Sequence, residues 1–123
     1  MYAPFVPTID RVSGELTIAI APFVPATMIV APSGTTHFKI ISGGAEIDFE
    51  AETFVSSISE TAILPLDMNP TVAINHLNMV TANSTKPLFL ALGVAFYQGV
   101  NGKMYPLKNG SYNPLSLVKV SGL

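Results

Sequence analysis

The chain contains no cysteine, one arginine and little charge of either sign. Without thiols there is no disulfide scaffold, no thiol nucleophile and no thiolate metal site. The same absence leaves the compartment open, because exported bacterial proteins often lack cysteine too; the bacterial cell surface or exterior is the reading it leans toward. Lysine and arginine together number six, with Arg11 the sole arginine, against eight acidic residues, for a net charge of −2. That balance offers no footprint for a phosphate backbone, so a nucleic-acid partner is not expected. The longest apolar run, Leu88 to Tyr97, is about half of what a membrane-spanning helix needs. The opening residues Met1-Tyr2-Ala3-Pro4-Phe5 carry no basic segment leading into an uninterrupted apolar stretch, so they do not read as a signal peptide.

Catalytic and metal-binding patterns are missing as well. There is no G-x-S-x-G elbow, no P-loop, no dinucleotide fingerprint and no D-x-D-x-D-G calcium loop. His37 and His76 are the only histidines, too few for a three-histidine site and not at H-x-x-x-H spacing. The expectation is a protein that is not an enzyme and holds neither cofactor nor metal. Hydrophobic residues make up 49% of the chain and charged residues 11%, which excludes disorder and implies a surface unusually poor in charge. Such surfaces tend to be covered. The 123 residues suit one domain, residues 1–123, with room for a real core.

What the sequence has in quantity is strand and turn grammar. Val, Ile, Thr, Phe and Tyr recur with period two, ten prolines and nine glycines fall between the runs, and no segment sustains a helical period. Thr8 to Val12 and Glu15 to Ile20 flank Ser13-Gly14, with Leu16, Ile18 and Ile20 on one face of the second strand. Ala3-Pro4-Phe5-Val6-Pro7 recurs as Ala21-Pro22-Phe23-Val24-Pro25, which reads as two Phe-Val pairs fastened at sandwich edges by prolines. His37 to Glu50 reads as a hairpin turning at Gly43-Gly44, pairing Ile40 with Ile47, Lys39 with Asp48, Phe38 with Phe49 and His37 with Glu50. Shorter strands follow at Phe54 to Ile58 and Thr61 to Leu66. Thr71 to Val80 alternates at Val72 and Ile74 and then shifts phase at Leu77 and Met79, which predicts a bulge or an irregular crossing. Leu88 to Gln98, apolar on both faces, predicts a central strand. Asn101-Gly102 and Asn109-Gly110 predict tight turns, and Leu115 to Val120 a closing strand. The whole predicts an all-β antiparallel sandwich of about seven strands, immunoglobulin- or fibronectin-like.

Two sets of side chains could carry chemistry. Glu46, Asp48, Glu50 and Glu52 would share a face if one strand ran through them, as a calcium site would need, but alternating charges on the wet face of a hairpin account for them more simply. Tyr97, Tyr105 and Tyr112 surround the two Asn-Gly turns, and aromatics grouped at a sandwich end could stack a sugar or a protein. The alternative for them is core or tyrosine-corner duty.

The stretches Pro32 to Ile40 with Ala45 to Phe49, Pro87 to Gly93 through Phe96-Tyr97-Gln98, and Val100 to Asn113 resemble the C-terminal β domain of uncharacterised proteins from Bacteroidota. In that family a basic N-terminal region precedes such a domain. The resemblance implies the C-terminal part of a longer bacterial protein and brings no catalytic residue with it. The expected function is a non-catalytic structural or protein-interaction module that packs against copies of itself, a partner or its own missing N-terminal region. A glycan-binding module using Tyr97, Tyr105 and Tyr112 is the alternative.

Overall fold

A computed structural model describes residues 5–29, 31, 33–107 and 116–121. Among them the chain forms nine strands and one short helix: β1 (Phe5–Asp10), β2 (Glu15–Ile20), α1 (Pro25–Met28), β3 (His37–Asp48), β4 (Thr53–Glu60), β5 (Leu64–Pro65), β6 (Ile74–Met79), β7 (Leu88–Val100), β8 (Lys103–Pro106) and β9 (Ser116–Ser121). They make two packed antiparallel sheets, the expected sandwich. The smaller sheet runs β1-β2-β6. The larger has six strands built on the long pair β3 and β7. Its strands outnumber the expectation because β4 and β5 share one side of β3 end to end, while β9 and β8 share the far side of β7.

The core follows from alternation. Leu16, Ile18 and Ile20 of β2 are fully or almost fully buried, as their period of two requires. Phe38 and Ile40 of β3 meet them, together with Leu88, Leu90, Leu92, Val94 and Phe96 of β7. Removing such side chains from water contributes about 1.5–3 kcal/mol each. The second Ala-Pro-Phe-Val-Pro copy places Phe23 in this core, with its ring centroid 6.3 Å from that of Phe38, and Pro25 opens α1. The first copy is described only from Phe5, where β1 begins as an edge strand.

Arg11 joins the two sheets. Its Nη1 donates to the carbonyls of Ser84 and Lys86 at 2.8 and 2.7 Å, and its Nη2 donates to the carbonyl and hydroxyl oxygens of Ser121 at 2.9 Å each. The β1–β2 turn that carries it closes on Gly14, whose N–H bonds the Asp10 carbonyl at 2.8 Å. Gly14 has φ +79°, and a Cβ there would lie 2.4 Å from the Val80 carbonyl oxygen. Asn101 and Gly102, with φ of +53° and +80°, make the expected turn between β7 and β8. The predicted turn at Asn109-Gly110 lies outside the described residues.

Two local expectations are corrected. Gly43 and Gly44 do not turn the chain: they lie in the middle of β3, opposite Ile58 and Ser57 of β4 on one side and Ala91 and Leu90 of β7 on the other. The turn into β4 comes further along, where Asp48 Oδ1 accepts the N–H groups of Glu50 (3.1 Å) and Ala51 (3.0 Å) and Glu52 takes φ +56°. Glycine is needed at 44 for a different reason, since a Cβ there would stand 3.0 Å from Leu16 Cδ2 and 3.2 Å from Asn78 Cβ. The sheets come together over that residue. The second correction is β6, which pairs with β2 without a shift from Ile74 to Met79. His76 and Asn78 point inward and Leu77 and Met79 outward, so the apolar residues marked the wrong face.

The two glycines separate a through-strand from a hairpin. In a two-residue turn both positions would resist a side chain; in this strand a Cβ at Gly43 would meet only the Ser57 carbonyl oxygen, at 3.8 Å. Gly43→Ala should therefore be nearly neutral, and Gly44→Ala should cost about 1–3 kcal/mol by overpacking, as read from urea denaturation midpoints.

Candidate functional site

The three tyrosines do not form one surface among the described residues. Tyr97 sits opposite Pro106, and Tyr105 opposite Gln98. Directly opposed residues share a face and successive residues alternate, so Tyr97 and Tyr105 point to opposite sides of the sheet. The Lys39 ammonium lies 5.7 Å from the Tyr97 ring centroid and 3.0 Å from Glu60; Glu60, and after it Tyr97, hold the Lys39 pKa above its ordinary value. Tyr105 is exposed. Tyr112 lies outside the described residues.

The acidic set is dispersed too. Glu46 is buried on the inner face and accepts the Thr81 hydroxyl at 2.8 Å. Asp48 caps the β3–β4 turn, which lowers its pKa chiefly through the Ala51 N–H, and pairs with Lys86 at 3.4 Å. Glu50 and Glu52 stand exposed in that turn. Lys39 meets Glu60 rather than Asp48, because its strand runs straight through the glycines. Among the described residues no three potential metal ligands gather. Glu46, Asp48 and Lys86 line a cleft of about 340 Å³ together with Thr53, Thr81 and Asn83; Lys86 pairs with Asp48 there, and Glu46 is held by the Thr81 hydroxyl.

The chemistry-bearing cluster that sequence reasoning missed lies between the sheets. Ser42 Oγ is 2.6 Å from His76 Nδ1 and accepts the Asn78 amide at 3.0 Å. Asn78 Oδ1 in turn accepts the hydroxyls of Ser59 (3.1 Å) and Ser57 (3.3 Å). The tautomer that satisfies Ser42 accepts its hydroxyl at Nδ1 and keeps the ring proton on Nε2, which is buried without a partner. A serine against a histidine has the contact of a nucleophile and its base. Ser42, however, is wholly buried, already engaged by Asn78, and no carboxylate among the described residues bonds the imidazole. What the cluster does is tie β6 to β3 and β4. The sequence signal was the i, i+2 spacing of His76 and Asn78, outweighed by Leu77 and Met79.

A second feature is the outer face of the larger sheet. Phe54 and Ile58 of β4 project from it 73% and 72% exposed, and Leu117 and Val120 of β9 are 61% and 53% exposed at its far side. Between them run the small residues Gly43, Ala45, Ala91, Gly93 and Ala95, with Ile41, Ile47 and Phe89 half-buried among them. On β3, β4 and β7 charge enters this face only at one end, with Lys39, Glu60 and His37. Ala45, Ile47, Phe49 and Phe54 border a mostly apolar cleft of about 260 Å³ at the other end, which Asp48, Glu52 and Thr53 also line. None of the described helices is long and apolar enough to cross a membrane.

Comparison with family models, curated proteins and solved structures finds no match to this chain.

The buried network carries a pH dependence. Burial lowers the His76 pKa below its ordinary 6.5, so between the two values the unfolded chain binds the extra proton. Stability should then fall as pH drops below about 6.5, until the folded-state pKa is passed. His76→Gln should flatten that part of the profile. Urea midpoints of both chains between pH 7.5 and roughly 4.5 measure it, and equal slopes would contradict it.

Proposed function

We propose that this chain is a non-catalytic structural or protein-interaction module of a bacterial protein, and that it works by burying the outer face of its larger sheet against protein. The observation that supports this most is that face itself. Four strands wide at about 4.8 Å each and eight residues long at about 3.3 Å each, it spans roughly 500 Å² of sheet plane before side-chain relief is counted. The largest apolar patch of an ordinary monomer is about 300–600 Å² and is often functional. Antiparallel sheets usually turn a polar face to water, and this one turns Phe54, Ile58, Leu117 and Val120 outward.

The shape suits another flat body. Exposed large side chains stand at both margins, and the floor between them is mostly small, with Ile41, Ile47 and Phe89 half-buried in it, so the margin of one copy can settle into the floor of a second. Both signs of charge sit at one end, on Lys39 and Glu60, 3.0 Å apart; a two-fold related copy therefore needs no foreign counter-charge. In the isolated chain the occupant is a second copy, and in the parent protein the same face packs within the assembly.

Ala91 and Leu117 are directly opposed on this face, so Ala91→Lys with Leu117→Glu introduces a matched pair that spares the sheet. The double variant should lower the weight-average mass at fixed concentration by about twofold, as one two-fold interface is lost, with an unchanged circular dichroism spectrum. An unchanged mass measured by light scattering would contradict the proposal.

A further inference from the structure

The smaller and larger sheets end in edge strands, and among the described ones all but β4 and β6 carry a residue that discourages a further strand; β6 has its Leu77 carbonyl taken by the Ser59 hydroxyl of β4 at 2.7 Å. β1 has Pro7, β5 has Pro65, β8 has Lys103 and Pro106, and β9 has Lys119. Prolines and lysines are the usual guards of such edges. β4 reads Thr53-Phe54-Val55-Ser56-Ser57-Ile58-Ser59-Glu60, with no proline, glycine or basic residue, and its pairing with β3 runs without a bulge. Its one charge, Glu60, is matched by Lys39.

Which backbone groups β4 leaves open follows from two bonds. Thr61 donates its N–H to the Ile40 carbonyl at 2.9 Å, and Ile47 donates its N–H to the Pro87 carbonyl at 3.1 Å. Along an antiparallel strand, successive residues turn their N–H and C=O alternately to one neighbour and the other. Even-numbered residues of β3 thus face β4 and odd-numbered ones β7. On β4, Val55, Ser57 and Ser59 face β3 as Thr61 does, while Phe54, Ser56 and Ile58 turn theirs outward. Among the described residues nothing accepts or supplies those bonds.

We infer that β4 pairs antiparallel with β4 of a second copy across a two-fold axis at Ser56, joining the larger sheets of two chains edge to edge. This extends the proposed assembly to a second surface. A two-fold axis normal to the sheet keeps outer side chains on the outer side, so residues of equal parity must oppose each other. Centring on Ser56 sets Phe54 against Ile58 of the second copy, an aromatic against a β-branched residue, and gives all three positions closely spaced backbone pairs. The margins bring Glu60, paired with Lys39, toward the turn that carries Glu52.

Ser56 is the position that distinguishes this arrangement, because it alone opposes itself. Its N–H points away from β3, so Ser56→Pro removes an outward donor and leaves the β3–β4 ladder intact. The full chain carrying Ser56→Pro should fall about twofold in weight-average mass by sedimentation velocity, with unchanged circular dichroism. Ser56→Lys should dissociate likewise, and an equimolar mixture with Ser56→Glu should restore the original mass, which loss of folding would not do. If Ser56→Pro and the Lys/Glu mixture leave the mass where it was while Ala91→Lys with Leu117→Glu lowers it, the edge pairing is wrong and the outer-face proposal stands. If only the Ser56 variants act, the edge pairing stands and the outer-face proposal fails.

Discussion

Asn78 is buried where the two sheets come closest, and an amide in that position must find its partners there. A buried polar group left without a hydrogen bond costs about 1–3 kcal/mol. Asn78 answers this by giving its N–H to Ser42 and taking hydroxyls from Ser57 and Ser59, so one side chain of the smaller sheet is held by two strands of the larger. Gly44 makes the approach possible, since any Cβ there would press on Leu16 and Asn78. Apolar packing between Leu16, Ile18, Ile20 and the β7 row supplies most of the cohesion. It is non-directional, however, and would tolerate one sheet sliding over the other; the polar seam fixes the offset.

That offset decides what is left uncovered. The smaller sheet covers the inner face of the larger one and engages β4 through Ser57 and Ser59. Phe54, Ser56 and Ile58 are left outside, with their backbone groups and side chains both turned away from the fold. At the other margin β1 reaches β9 through Arg11, whose guanidinium closes on Ser121 and the Ser84–Lys86 segment. One edge is thus tied down and the other open. The chain's scarcity of charge has its main effect on this open side, where an apolar face meets an unguarded edge.

Strand-and-turn grammar made the architecture legible. The alternation of Leu16, Ile18 and Ile20, the Asn101-Gly102 turn and the doubly apolar β7 all follow from local rules. The hairpin at Gly43-Gly44 misled because two glycines can mean either backbone freedom or the absence of a side chain, and only the neighbour, Leu16, far upstream in the chain, decides between them. The apparent self-consistency of that register, apolar against apolar and cation against anion, arose from ordinary strand alternation, which any shift by two residues would reproduce. β6 misled for a related reason. Inward polar residues are read as outward unless their partners, Ser42, Ser57 and Ser59, are known to be waiting on the facing sheet. The candidate surfaces were hidden likewise: that Phe54 and Ile58 are outermost depends on strand order, which the sequence of β4 does not carry.

The central claim is that the Asn78 seam holds the two sheets in register. A double-mutant cycle of Ser42→Ala and Asn78→Ala, measured by urea denaturation at pH 7.5, tests it most directly. Each single change should destabilise the chain by about 1–3 kcal/mol, and the pair should be non-additive by at least about 0.5 kcal/mol, because the two groups share one bond. Additivity within about 0.3 kcal/mol would mean that the seam is incidental and that apolar packing alone sets how the sheets meet.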